Sequence, residues 1–514
     1  MSRQVRQSEE RKPGSRGSLR ESSVLKGVGH SLLGGGKMAT ELPGEKEASG
    51  GLDSGIEEIL KQINIRSDES NIQIVHARRD DLNHYSILGN VPLALKQRVV
   101  RDATSDIALN RAMGSMCGMA IGDALGHPYE FLPTVDTPGP ARFELATLTF
   151  RGESNAFHLQ RGQWTDDASM GLCMADSLIL RERFDGSDMR IRFWCWWNRG
   201  YNNAFRKEDH RTGSVGLGGN IAKSLMALTS CRRGEVPPTY DAPTEDAGNG
   251  SLMRFTPVAV YLHASDPTEV YKYSRLSSYT THPGIIAAEA CSLLGHLIVA
   301  ALNLPAGPVN PKEFIEEQTA SYLEKSGLSR KSGWGYDQMK WLATGRPELA
   351  TERCWAWREK SLDIAGTLRA RGRSYNGYPV SAGYFGSYSL DGLAMALWAV
   401  YHTTSFDEAV TKSVNLLGDA DSHGSICGQL AGALYGYTSI NRQFLDWQNK
   451  WDDHEIAVRA LLLHHLGSNR TAEEMLPEVM GPPKLCRTKT ETRPQPPKLG
   501  REISAPVHHN ETRD

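Results

Sequence analysis

Two short acidic runs carry the clearest chemical content of this sequence: Trp164-Thr165-Asp166-Asp167 and Gly418-Asp419-Ala420-Asp421-Ser422. Each precedes a helical pattern, the first beginning near Ala168. Thr, Asp and Ser favour helix N-caps, so each run is expected to cap the helix that follows. A cap needs one side-chain oxygen, and each run offers three. Crowded carboxylates repel unless something neutralises them, and a divalent cation does so. All the candidate ligands are hard oxygens, which suits Mg²⁺, Mn²⁺ or Ca²⁺ and argues against zinc. A helix N-terminus repels a cation through its dipole, so a site there needs surplus carboxylates, and this sequence has them. Glu130 is a third contributor. Pro128 should end the helix before it and leave Glu130 in a loop, a usual place for catalytic groups. Taken alone, Glu130 is also what an ordinary solvated glutamate looks like.

A second kind of chemistry is offered by Gly248-Asn249-Gly250-Ser251-Leu252-Met253-Arg254. Glycines let backbone N–H groups approach an anion, and a following helix N-terminus would add its dipole. Ser251 adds a hydroxyl, and a diphosphate is a reasonable guest. A plain helix-opening turn accounts for the same residues. Downstream, Thr281-His282-Pro283 sets His282 at the mouth of another helix, where a structural histidine is equally at home.

These groups must be positioned by helices. Gly114, Gly118, Gly122 and Gly126 sit four apart, as do Gly424, Gly428, Gly432 and Gly436. Such spacing makes a ridge along one helix face. Glycine within a helix costs about 1 kcal/mol against alanine. Two glycine rows therefore need a packing reason: backbones that approach each other, or a ligand, closely. Apolar residues recur at helical spacing in Leu172, Ala175, Leu178 and Ile179, in Ile285, Ala288, Leu293 and Leu297, and in Leu393, Leu397 and Val400. Strand-like alternation is scarce, so the expected fold is all-α.

The expected organisation is a disordered tail over 1–55, an ambiguous extension over 56–105, a helical domain over 106–475 and a Pro-rich disordered tail over 476–514. Within the extension, Ile56 to Ile63 fits a short amphipathic helix and 72–76 a short strand. In the last segment, Arg493-Pro494-Gln495-Pro496-Pro497-Lys498 could offer an SH3-type groove a polyproline ligand, although a solvated tail is the plainer reading. The 58 basic and 60 acidic residues give a formal net charge of -2, which points to neither nucleic acid nor an anionic membrane. No run of about 18 apolar residues is read, so no membrane span is expected. None of the eight cysteines forms a C-x-x-C pair, which leaves a cysteine zinc site without support. Lacking a secretory h-region, the chain is expected to be intracellular, cytoplasmic in the first instance, and a monomer.

Taken together, the motifs resemble the ADP-ribosylglycohydrolase family, which includes the dinitrogenase-reductase-activating glycohydrolases. The matching pieces run in family order: Gly118 to Gly126, Gly162 to Met170, Gly248 to Arg254, Thr281-His282-Pro283, Ser389 to Trp398, then Gly418 to Ser422 with Gln429 to Gly436. The resemblance covers about 108–440. It implies a compact all-α domain with a binuclear Mg²⁺ site, Mn²⁺ being a substitute, held by Thr165, Asp166, Asp167, Asp419, Asp421 and Ser422. It implies that Glu130 is the acid near the scissile bond, with Asp167 close to the chemistry. Asp246 corresponds to an acid that contacts the ribose or leaving group in some members. Asn249, Gly250, Ser251, Met253 and His282 match positions that line an ADP-ribose pocket. Two departures stand out: Ser422 replaces the usual threonine, and Ala168 replaces a threonine common after the second aspartate. The implied activity is hydrolysis of the bond between ADP-ribose and an acceptor, either an ADP-ribosylated protein or a small conjugate. The competing readings are a catalytically silent ADP-ribose-binding or structural protein of the same fold, and a metal phosphoesterase. The latter usually brings histidine ligands, and only His423 lies beside the clusters.

Overall fold

The two glycine rows meet each other in the computed structural model, which describes residues 51–63, 86–208, 211, 213–231, 236–242, 245, 247–376, 378–380 and 383–470. In chain order the helices are α1 (Leu52–Gln62), α2 (Leu93–Ala103), α3 (Ile107–Gly126), α4 (Asp166–Arg181), α5 (Gly186–Arg199), α6 (Gly219–Met226), α7 (Thr256–Tyr261), α8 (Pro267–Tyr279), α9 (Ile285–Leu302), α10 (Pro311–Lys325), α11 (Trp334–Thr344), α12 (Ile364–Arg371), α13 (Ser389–Tyr401), α14 (Phe406–Val414), α15 (Ala420–Tyr435), α16 (Arg442–Asp452) and α17 (Glu455–Asn469). Two small antiparallel ribbons interrupt them. β1 (Arg142–Glu144) pairs with β2 (Thr149–Arg151), with Arg142 opposite Arg151, and β3 (Ser374–Tyr375) pairs with β4 (Tyr378–Pro379). The fold is all-α, as the periodicity predicts.

α3 and α15 form the axis of the molecule. A β-carbon on Gly118 would collide with the Gly428 carbonyl, one on Gly122 with that of Gly424, and one on Gly114 with that of Gly432. The pairing runs antiparallel, so the C-terminal end of α3 meets the N-terminal end of α15. At that end Gly126 abuts Ala420. Glycine is required here because backbone touches backbone. Both helices are buried nearly all round, as expected of core helices whose apolar residues are not confined to one stripe.

α9 corrects one expectation. Its 18 residues have a mean hydropathy of 2.0, long and apolar enough to cross a membrane. Its surroundings give the physical reason for that composition: 83% of the helix is buried inside the protein. In the extension, the helix expected from Ile56 is α1, which starts at Leu52 and buries Ile56 and Ile59. α1 and α2 pack on α17. The strand expected over 72–76 and the polyproline segment 493–498 lie outside the described residues. Every cysteine among the described residues is free, and six of them are buried.

A buried charge network ties distant segments together. Glu455 on α17 accepts hydrogen bonds from Lys96 of α2 (2.7 Å), Arg206 (2.8 Å) and Ser86 (2.5 Å). One turn on, Arg459 pairs with Asp176 of α4 at 2.7 Å. Asp176 also accepts from the Tyr201 hydroxyl at 2.6 Å.

Candidate active site

The meeting of α3 and α15 gathers the acidic runs. Asp123, on the last turn of α3, is fully buried. Its carboxylate accepts from the Thr165 amide (2.9 and 3.0 Å), the Ala168 amide (3.0 Å) and the Thr165 hydroxyl (2.9 Å). The first turn of α4 is therefore capped by a carboxylate from another helix. This overturns the expectation that each acidic run caps its own helix, since neither Thr165 nor Asp419 makes a side-chain cap. The Thr165 hydroxyl is spent as a donor to Asp123 and, at 3.2 Å, to Asp167. Asp419 is held elsewhere: Oδ1 accepts from the Tyr384 hydroxyl (2.8 Å) and Oδ2 from the Asn249 amide (2.7 Å).

Backbone geometry aims the remaining groups. α3 ends at Gly126, a 3-10 turn spans His127–Tyr129, and Glu130 follows. The Phe131 amide donates to the Gly418 carbonyl (3.1 Å) and the Gly418 amide to the Leu132 carbonyl (3.0 Å). Glu130 is thus locked beside the second acidic run. Leu417 and Gly418 both adopt positive φ, +61° and +72°, which turns the chain sharply into α15. One carboxylate oxygen of each of Glu130, Asp419 and Asp421 lies within 4.8 Å of the other two, and this buried acidic triad could hold a metal ion. Far from a solvated glutamate, Glu130 is only 7% exposed.

The electrostatics follow from that crowding. Burial and Asp421 push the Asp123 carboxyl up to about 8, and the same two causes push Asp419 to about 7. Glu130, Asp166 and Asp167 are raised by burial and then by neighbouring carboxylates, and Asp421 by burial. Oε2 of Glu130 and Oδ1 of Asp167 are buried with no hydrogen-bond partner. Buried acceptors of like charge without donors match what a hard divalent cation requires, so the residues present fit a metal of that class.

A cavity of about 640 Å³ opens over this cluster. Of the metal residues expected from the sequence, Asp166, Asp419, Asp421 and Ser422 line it, as does Glu130. Thr165 and Asp167 are fully buried and stand outside the lining. Asn249, Gly250, Met253 and His282 line another wall. Asn249–Ser251 form a 3-10 turn, fixed by the Asn249 amide on the Ser387 carbonyl (2.8 Å). α15 holds the next residues, with Ser425 Oγ and Gln429 Nε2 donating to the Met253 carbonyl at 2.8 and 2.6 Å. Ser251 is not among the lining residues, and its hydroxyl accepts from Ser278 (2.9 Å). The expected helix dipole is also missing, because α7 begins only at Thr256 and has six residues. His282 is buried and neutral, its pKa lowered to about 3 by burial and by Arg254, and its Nδ1 meets the Thr281 hydroxyl at 2.8 Å. Asp246 lies outside the described residues.

Three participants escape the sequence reading. Asp123 is present in the Gly118–Gly126 motif, but its capping role depends on α4 arriving beside it. Tyr384 bridges Asp419 and Glu130 (3.3 Å) from a loop with no distinguishing pattern. At the far end of the cavity Arg371 grips Asp391 through two bonds of 2.6 and 2.8 Å, and the Trp355 indole adds a third at 2.7 Å.

Residues 104–471 match a family profile described as ADP-ribosylglycohydrolase. The ADP-ribosylarginine hydrolase Tri1 of Pseudomonas putida (strain GB-1) is 29% identical over 357 residues, covering 68% of this chain and 77% of that protein. The ADP-ribosyl-(dinitrogen reductase) glycohydrolase of Rhodospirillum rubrum is 25% identical, covering 67% and 90%. The ADP-ribosylhydrolase ARH3 of Homo sapiens is 23% identical, covering 68% and 91%.

Proposed function

The chain belongs to the ADP-ribosylglycohydrolase family, and from that premise we propose that it hydrolyses the glycosidic bond between ADP-ribose and an acceptor, with Mg²⁺ as cofactor and Mn²⁺ as substitute. The acceptor is a protein side chain or a small conjugate. The observation that carries this reading is the convergence of buried carboxylates from α3, α4, α15 and the Glu130 loop beneath one cavity, with the Gly248–Met253 turn on its wall.

Thr165, Asp166, Asp167, Asp419, Asp421 and Ser422 are the residues that would hold two ions. Bound there, the ions would supply positive charge to orient the ribose hydroxyls and lower the pKa of a water. Ser422 keeps the oxygen that threonine usually provides. Glu130 lines the cavity beside the second acidic run, a position that suits a general acid at the departing atom. Tyr384 and Asn249 fix both oxygens of Asp419, so that carboxylate cannot rotate. Gly248 and Gly250 line the cavity with their backbone packed close to the His282 ring, where a β-carbon on Gly250 would crowd it. Asp167, beneath the cavity, and Asp246 complete the acids assigned to the reaction. Bond cleavage of this kind passes through an oxocarbenium-like transition state, which a carboxylate-rich floor stabilises.

The decisive experiment incubates the protein with ADP-ribosyl-arginine, ADP-ribosyl-serine, poly(ADP-ribose) and O-acetyl-ADP-ribose, with and without Mg²⁺, and measures released ADP-ribose. Mg²⁺-dependent release from at least one substrate is expected, falling at least about a hundredfold in Asp166→Ala plus Asp421→Ala. Release that survives both chelation and the double variant would sink the mechanism. Tight ADP-ribose binding with no turnover would favour the catalytically silent reading.

A further inference from the structure

We propose that Arg254 and Thr281 are positioning residues that fix His282 in the Nε2–H tautomer, so that its ring presents one constant hydrogen-bond donor to an oxygen of the bound ligand. The tautomer follows from the hydrogen bonds of this structure, and the donor's use rests on the hydrolase reading above.

Arg254 is a cation held in the core without a counter-ion. It is fully buried, and among the described residues no carboxylate pairs with it. Its guanidinium lies over the Phe193 ring at 4.4 Å, and Nη1 meets the Met170 sulfur at 3.6 Å. A charge in such surroundings is costly to keep. Burial lowers the Arg254 pKa only to about 10, so the side chain stays charged at neutral pH. What it does there is donate. Nη2 reaches the Thr281 hydroxyl oxygen at 2.6 Å and that of Thr280 at 3.2 Å. The Thr280 hydroxyl gives its own proton to the Ser277 carbonyl at 2.6 Å. Among the described residues, the acceptor within reach of the Thr281 proton is His282 Nδ1, at 2.8 Å.

The direction of that last bond is settled by the donors. A guanidinium only donates, so the Thr281 oxygen accepts from Arg254. Its hydroxyl proton then points at His282 Nδ1, whose lone pair accepts. The reverse arrangement puts a proton on Nδ1 and aims it at the same oxygen. The Thr281 proton would then have no acceptor, in a place closed to water. A doubly protonated ring meets the same obstacle and the Arg254 charge besides, in keeping with the lowered pKa of His282. The ring proton therefore sits on Nε2. That nitrogen faces the glycine turn: a β-carbon on Gly248 would lie 3.4 Å from it, and one on Gly250 3.3 Å. The Asn220 amide nitrogen stands 3.1 Å from the same Gly248 position. Asn220, Gly248, Gly250 and His282 all line the cavity. An imidazole free to choose its tautomer could turn a lone pair to this wall and repel a ligand oxygen. The relay from Arg254 through Thr281 leaves a donor there.

Two readouts on the full-length protein test the relay. The first is the nitrogen-15 spectrum of the histidine rings near neutral pH, with the His282 signals assigned by their loss in His282→Gln. The wild type should show the Nε2–H form, Thr281→Ser should keep it, and Thr281→Val should add a population protonated at Nδ1. Arg254→Met should mix the tautomers as well, and the Thr281 variants carry the test where that protein does not fold. The second readout is the Kd of ADP-ribose with Mg²⁺, by calorimetry. Thr281→Val should weaken binding about three- to tenfold, and Thr281→Ser less than about twofold. Glutamine sets an amide N–H near the position of Nε2, so His282→Gln should bind within about threefold of the wild type. In that background Thr281→Val should cause no further loss. A hydroxyl that merely packs would cause the same loss in both backgrounds. A wild-type ring protonated on Nδ1, an Nε2–H form untouched by Thr281→Val, or equal losses in both backgrounds overturns the inference and leaves the hydrolase reading standing. A wild type that binds no ADP-ribose overturns the hydrolase reading and the donor's use together, and the spectrum alone then decides the relay.

Discussion

A carboxylate that is buried among its own kind resists ionisation until a proton or a cation relieves it. Asp419 and Asp123 are in that position, raised to about 7 and about 8. The folded state therefore binds more protons than the unfolded chain between the ordinary aspartate range near 4 and those values. Stability from these groups is fully present below about pH 4 and is lost as pH rises through 7 and 8. Glu455 has the opposite sign: its pKa is lowered, so its contribution is present above about pH 4 and lost only in stronger acid. Between pH 5 and 8 the acidic cluster should dominate. The melting temperature of chelator-treated protein should fall across that window, and millimolar Mg²⁺ should flatten the decline. A metal-independent profile across that range would contradict the site. The acidic side chains that converge here were legible from residue type and number. Tyr384 was not, because one tyrosine in an irregular loop becomes a partner of Asp419 only when the Asp419 amide bonds the Phe385 carbonyl at 3.0 Å.

Helices here are positioned by what they lack. A β-carbon at Gly428 would meet the Gly118 backbone, which no rotamer change can relieve. Gly428→Ala should destabilise by at least about 3 kcal/mol in urea unfolding, toward the upper end for overpacked cores. Gly139→Ala, with open space around it, should be neutral in the same assay. Unchanged stability in Gly428→Ala would mean that the helices are not in backbone contact. The spacing of four on each helix is visible in the sequence. That the two rows face each other, antiparallel, is a long-range fact that no local pattern contains. The capping expectation failed for the same reason: the acceptor that satisfies the first turn of α4 comes from α3, over forty residues earlier in the chain. The helix expected near Ala168 begins two residues sooner, at Asp166, because Asp123 supplies that cap.

At the scale of the whole molecule, Glu455 joins α17 to α2 and to Arg206, while Arg459 carries the connection to Asp176 on α4. Lys96 lies before residue 104, where the family match begins, so the family-like region depends on a segment outside it. Glu455→Gln leaves Lys96 and Arg206 buried without their counter-ion. Its expected cost is about 3 to 5 kcal/mol, read from denaturant unfolding. A change below about 1 kcal/mol, the range of exposed pairs, would show that the network is not sealed from water. These partners are hundreds of residues apart, and the nearly balanced composition gave no hint of them. The glycine seam has a further consequence. Both helices repeat every four residues, so the pair can interlock again only after sliding a whole step of about 6 Å. That slip would carry Asp421 past Asp123 altogether. In a slipped register the acidic runs would no longer converge beneath the cavity. Substitutions that loosen the core should abolish metal binding in a single step, with no series of progressively weaker sites between.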